Sequence, residues 1–343
     1  MTNTKVVTFG EIMLRLSTPG NQRFAQATHY DVNYGGGEAN VAVSLAQFGF
    51  DVFHVTRLPN NEIGDSALNE LRKYGVRTEY ILRGGERLGI YFLESGASQR
   101  PSKVIYDRSH TSMAEMKPGM VKWDNVFKGA KWLHVTGITP ALSTTVADAT
   151  IEAIKAARSG SLTISCDLNY RKNLWTREKA QQVMNQVLQN VDVAIANEED
   201  AELVFGIKAG DTDVGAGRLD EALYQDVGKQ LMQRFPSLKY VAITLRESLS
   251  ASDNNWSAVL WDGNTFYQSK KYSVRIVDRV GGGDSFGAGL IYGMLTGKNA
   301  KDSLEFAVAA SCLKHTVPGD FNHCSVAEVE SLIKEGGAGR VQR

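Results

Sequence analysis

Short β-branched runs alternate with amphipathic helical stretches along most of the chain, and this alternation narrows the fold more than any single residue does. Strand patterns stand at 5–9, 51–55, 132–136, 162–166, 192–196 and 240–245. Helical periodicity marks 39–48, 144–158, 177–190, 222–235, 285–295 and 301–314. Strand-then-helix order of this kind predicts an α/β fold with a mostly parallel sheet covered on both faces, a three-layer α/β/α sandwich. Ligands of such sheets gather beyond the carboxyl ends of the strands. Asp167, Asn169, Asn197 and Thr244 fall at those ends.

Segments 15–34 and 88–107 break the pattern. They hold alternating runs, Gly89-Ile-Tyr-Phe-Leu-Glu and Ser102-Lys-Val-Ile-Tyr-Asp among them, flanked by Gly, Ser and Pro. Hairpin strands that leave the main sheet are expected there, forming a small β lid inserted in two pieces. The main domain would then comprise 1–14, 35–87 and 108–335, with 336–343 as a flexible tail and 206–218 as a surface loop. A lid of this kind excludes water from reacting groups.

Charge sets limits on partners. The 343 residues carry 38 Lys and Arg against 38 Asp and Glu, so the chain lacks the basic field of a nucleic-acid binder. An acidic ligand must therefore be held by a few placed cations. No apolar run approaches the ~20 residues of a membrane span. Cys166, Cys312 and Cys324 are far apart and form no CxxC pair, which suits a reducing compartment. The N-terminus has no signal-peptide core, and a cytoplasmic location is expected.

The most informative stretch is Asp278-Arg-Val-Gly-Gly-Gly-Asp-Ser-Phe-Gly-Ala-Gly. Consecutive glycines let the backbone approach a ligand closely, and the helix that follows aims its free N–H groups at the same place. That combination suits charge developing on a transferring phosphoryl group, with Asp284 as acceptor of a proton from an attacking hydroxyl. The same residues also read as a glycine-rich turn with an N-capping aspartate. No Gly-Lys-Ser/Thr follows, so the stretch is not a Walker A loop. A second cluster, Gly35-Gly-Gly-Glu-Ala-Asn40, likewise opens a helix, and Asn40 supplies both donor and acceptor for a polyol.

These two clusters, in this order, resemble the paired motifs of the ribokinase-like (PfkB) sugar kinases. Gly35, Gly36, Asn40, Ala42 and Gly49 fit the first; Asp278, Gly281, Gly283 and Asp284 fit the second. The resemblance runs from Val6 to about Leu332 and implies a ribokinase-like sandwich with a β lid that uses ATP and Mg²⁺. It implies Asp284 as catalytic base and the N–H groups of Gly281, Gly282 and Gly283 as an anion hole. Asn197-Glu-Glu-Asp resembles the family's N-x-x-E motif, with Asp200 holding Mg²⁺ through water. Thr244, Arg246 and Lys314 would flank the nucleotide. Asp278 and Val280 resemble a monovalent-cation loop, which implies K⁺. A homo-oligomer formed through the lid is expected as well.

Departures from the family pattern concern the sugar. Arg15 stands where ribokinases often carry Asp, Pro59 replaces a common Gly, and Arg246-Glu-Ser-Leu-Ser follows Thr244. Together with Tyr106-Asp-Arg and Asp167-Leu-Asn-Tyr-Arg, these resemble the subgroup acting on 2-keto-3-deoxy sugar acids. A sugar acid carries a carboxylate, which arginine binds bidentately. Arg108 and Arg171 are the expected clamp, with Gly35, Gly36, Gly37, Asn40, Tyr91, Tyr106 and Asn169 around the carbon chain. Surface ion pairs are the commoner role for such arginines, worth about 0–1 kcal/mol each.

Overall fold

A computed structural model describes residues 4–210 and 223–336. Most of the expected loop at 206–218, and the expected tail beyond Gly336, lie outside those residues. The strands are β1 Lys5–Phe9, β2 Met13–Ser17, β3 Asp31–Gly35, β4 Asp51–Val55, β5 Arg57–Leu58, β6 Leu82–Arg83, β7 Gly89–Glu94 and β8 Lys103–Asp107. They continue with β9 Ala130–Thr136, β10 Thr163–Asp167, β11 Val193–Asn197, β12 Tyr240–Ser248, β13 Asp253–Trp261, β14 Phe266–Gln268 and β15 Tyr272–Arg275. The helices are α1 Gly37–Gln47, α2 Glu62–Lys73, α3 Trp123–Phe127, α4 Thr144–Ser159 and α5 Arg177–Leu188. After these come α6 Asp200–Phe205, α7 Leu223–Arg234, α8 Gly282–Leu295, α9 Ala300–Lys314 and α10 Val326–Glu335.

Among the described residues the main sheet has nine strands, in the order β14-β13-β12-β11-β10-β9-β1-β4, with β15 also paired to β13. From β12 to β4 every pairing is parallel; β13, β14 and β15 add an antiparallel edge. Because side chains alternate along a strand, each strand feeds two cores. Val7, Phe9, Leu133, Ile164 and Val241 pack on one face with α4, α5 and α7. Val6, Val52, Trp132, Ile195 and Ala242 pack on the other with α1, α8 and α9. The sandwich expected from the alternation is the one observed.

Helix α8 lies against α9 through glycine. A Cβ on Gly289 would stand 2.7 Å from the Ala307 Cα, and one on Gly293 would stand 2.7 Å from the Ser303 Cα. Both positions admit only hydrogen, so the two helices touch backbone to backbone.

A second, four-stranded sheet has the order β3-β2-β7-β8. It is built from the two segments expected to leave the main sheet, although β2 begins at Met13. Register aligns Asn33, Arg15, Tyr91 and Tyr106 across it in one row. The adjacent row is Val32, Leu16, Phe92 and Ile105. The first row holds buried Arg15 and Tyr91, whereas Val32 and Ile105 in the second are 61% and 56% exposed. One face of this sheet is thus turned to the molecule and the other to solvent.

Candidate active site

A cavity of about 340 Å³ opens beyond the carboxyl ends of β10, β11 and β12, with the second sheet as its opposite wall. Asp167, Asn197 and Thr244 line it from the strands, Asp284 from α8, and Tyr91 and Tyr106 from the second sheet.

Its centre is the meeting of two helix starts. Asn40 in the first turns of α1 donates from Nδ2 to Asp284 Oδ2 at 2.6 Å, across 244 positions of sequence. The Asn40 Oδ1 in turn accepts the Gly36 N–H at 3.2 Å, which fixes the amide's orientation. Glu38, two residues earlier, anchors α1 to the end of β9 by accepting from the Thr136 N–H and hydroxyl and the Thr139 hydroxyl. Burial pushes the Asp284 pKa up to about 6, while the Asn40 bond and Arg171 work in the opposite direction. Such a carboxylate is ionised at neutral pH yet avid for a proton, the condition of a general base.

The glycine turn folds tightly before α8. Gly281 caps the helix with φ 83°, in the left-handed region. At that position the Asp320 carbonyl oxygen stands 2.0 Å from where a Cβ would lie. Gly281 and Gly283 line the cavity, and a Cβ on Gly283 would meet nothing within 4 Å. Gly282 departs from expectation. Its N–H donates to the Arg279 carbonyl at 3.3 Å and a Cβ there would stand 2.5 Å from the His315 ring, so it is spent inside the protein.

Behind the turn lies a charged cluster that sequence reading missed. Arg15 of β2 donates from Nη2 to Asp278 Oδ2 at 2.5 Å and from Nη1 to Asp320 Oδ1 at 2.7 Å. Asp320 also accepts from the Tyr91 hydroxyl. Burial opposes the Arg15 charge, but Asp320 and Asp278 more than offset it and raise its pKa. Lys314, expected beside the nucleotide, is 0% exposed and does not border the cavity. Its ammonium is turned toward the carbonyls of Val317 at 3.2 Å and Asp278 at 3.5 Å. Burial lowers the Lys314 pKa, with Asp278, Asp320 and Asp284 acting to raise it. Gly35 and Asp278 likewise stand behind the wall: Gly35 lies against the Asp320 carboxylate, and Asp278 is bonded to Arg15.

On the strand-end side, Asp200 accepts the Asn197 N–H at 2.9 Å and the Tyr170 N–H at 3.1 Å, tying two loops together. Asp167 stands beside it, its pKa raised by burial and then by Asp200 and Asp284. Among the described residues no three His, Cys, Asp or Glu are placed to hold a metal alone. A Mg²⁺ ion keeps several waters and leans on one or two carboxylates plus ligand phosphates, so Asp167 and Asp200 suit that ion. Thr244 and Arg246 border the same end, joined by Arg279 and His315, which the sequence had not marked. Arg246 pairs with Glu198 at 3.5 Å.

Arg108 and Arg171 both line the cavity, in different states. Arg108 is buried and ion-paired through Nη2 to Glu11, so it is no free surface group. Arg171 donates a long 3.4 Å bond to the Tyr170 carbonyl, and Asp167, Asp200 and Asp284 feel its charge. Asn169 adopts φ 40°, a left-handed conformation that asparagine tolerates, and this turns it to the same space. Val280 lines the cavity too.

The pfkB family carbohydrate kinase model matches residues 3–325. A 2-dehydro-3-deoxygalactonokinase of Haloferax volcanii is 30% identical over 98% of each chain. A 2-dehydro-3-deoxygluconokinase of Bacillus subtilis is 28% identical over 92% of this chain and 91% of its own. Among solved structures, a 2-dehydro-3-deoxygluconokinase of Thermotoga maritima is 50% identical, with a TM-score of 0.93 over 96% of this chain and 99% of that one.

Proposed function

This chain belongs to the pfkB family of carbohydrate kinases and is an ATP-dependent kinase, and from that premise we propose that it phosphorylates the terminal hydroxyl of a 2-keto-3-deoxy sugar acid. The substrate is 2-keto-3-deoxy-D-gluconate and the product its 6-phosphate. The observation that carries this reading is the Asn40–Asp284 bond, which joins the two glycine clusters into one cavity.

The sugar acid lies under the second sheet, with Tyr91 and Tyr106 along its carbon chain and Arg171 and Arg108 on its carboxylate. Asp284, held in orientation by Asn40, takes the proton of the terminal hydroxyl as that oxygen attacks the γ-phosphate. Amides at Gly281 and Gly283 receive the developing negative charge. Thr244, Arg246 and Arg279 border the nucleotide. Mg²⁺, when bound beside Asp167 and Asp200, neutralises phosphate charge. Covering the site with the lid keeps water from the γ-phosphate.

Release of ADP measured with 2-keto-3-deoxygluconate, its galactonate epimer and fructose at equal concentration tests the reading. Turnover of either keto acid should exceed that of fructose; a preference for fructose overturns it. Arg171→Ala should raise KM for the keto acid roughly ten- to hundredfold, the loss of a charged hydrogen bond, and leave a neutral sugar little affected.

The assembly is a homo-oligomer formed through the outward row Val32, Leu16, Phe92 and Ile105, whose apolar character supports an interface there. The cytoplasm is its location, supported by three buried, unpaired cysteines.

A further inference from the structure

The backbone behind the glycine turn offers what a small monovalent cation takes: the carbonyls of Asp278 and Val317 and the Asp278 carboxylate. Those acceptors are already engaged. The Lys314 ammonium faces both carbonyls. Asp278 Oδ2 accepts from Arg15 and from the Gly319 N–H at 3.0 Å, and Oδ1 accepts the Val280 N–H at 3.1 Å. Asp320 takes the rest of the Arg15 guanidinium and the Tyr91 hydroxyl. In formal charge two carboxylates are matched by two fixed cations. The K⁺ implied by residues 278–280 does not fit here, because it would have to displace a buried ammonium and leave an excess positive charge.

We propose that Lys314 and Arg15 are tethered substitutes for a monovalent cation, so that this chain transfers phosphate without any need for K⁺ or Na⁺. Both are positioning residues. Neither borders the cavity; they act through Asp278 and Asp320, which brace the left-handed Gly281 and so the amides beside Asp284. A tethered cation holds the turn whatever the salt, whereas a diffusible one holds it only when bound.

The proposal rests on the kinase reading for its activity assay alone, and melting of the ligand-free chain supplies an independent readout. The full chain is exchanged into tetramethylammonium buffer and titrated with K⁺ or Na⁺ at constant ionic strength. Wild-type kcat should change by less than about twofold, and the melting temperature should follow ionic strength and not ion identity. A wild-type kcat or melting temperature that climbs specifically with K⁺ overturns the proposal. Lys314→Met keeps the apolar stem and removes the charge. Its kcat in tetramethylammonium should fall at least about tenfold, with KM for the sugar acid little moved, and K⁺ or methylammonium should restore most of the loss. Full activity without added cation, or a loss that no cation repairs, also overturns it. Should Lys314→Met fail to fold, the wild-type ion series still decides. Should no sugar acid be turned over in any ion, the kinase reading fails, while the melting series continues to test the cation claim.

Discussion

Asp284 is the residue on which chemistry and stability pull in opposite directions. Burial raises its pKa to about 6, above the usual aspartate value of 3.8. The folded state therefore favours the protonated form: stability from this group is present below about pH 4 and is lost as pH rises through about 6. Asp284→Asn should melt at the same temperature as wild type near pH 4 and at a higher one above pH 6, a difference that calorimetry across pH measures. The same substitution should retain substrate binding and lower kcat by roughly 10²–10⁴. For wild type, kcat/KM should fall on the acid side with an apparent pKa near 6. Asp284, Asn40, Gly281 and Gly283 were legible in the sequence because glycine clusters and a helix-start carboxylate are local signals. Arg15 and Lys314 were not. The partners of Arg15 lie 263 and 305 positions away, and Lys314, which the resemblance put beside the nucleotide, instead faces backbone carbonyls that no local pattern marks.

At the scale of elements, α8 and α9 show how packing and chemistry share one contact. Gly289 sits on the α9 backbone, and α9 carries Ser311, whose hydroxyl donates to the Gly282 carbonyl at 2.7 Å, as well as Lys314. Gly289→Val must push α9 away, which should destabilise the chain by roughly 1–3 kcal/mol in urea denaturation and lower kcat with it. Gly283→Ala is the contrast. No atom opposes its Cβ, so stability should hold or rise by about 0.4–1 kcal/mol while turnover falls, because the methyl group enters the phosphate's space. The parallel strands were readable from their apolar runs, and β1 and β4 fall at the expected residues. The antiparallel edge was not: β12 was expected to stop at 245 and runs on to Ser248, because its end is held by pairing with β13 and not by its own composition.

Across the whole molecule, the second sheet serves two sides at once. Its outward row was visible in the sequence only as alternation, which says that one face is apolar without saying what covers it. If that row is the contact between copies, Ile105→Lys should shift the sedimentation coefficient toward a monomer while leaving the melting of each chain nearly unchanged. Arg15 and Leu16 are neighbours on β2 that point in opposite directions, the first gripping the loop beside Asp284 and the second joining the outward row. A strand cannot move on one side alone. If copies do meet on the outer surface, that contact also limits play at the phosphate, and diluting the protein should then loosen its grip on chemistry as well as on its copies.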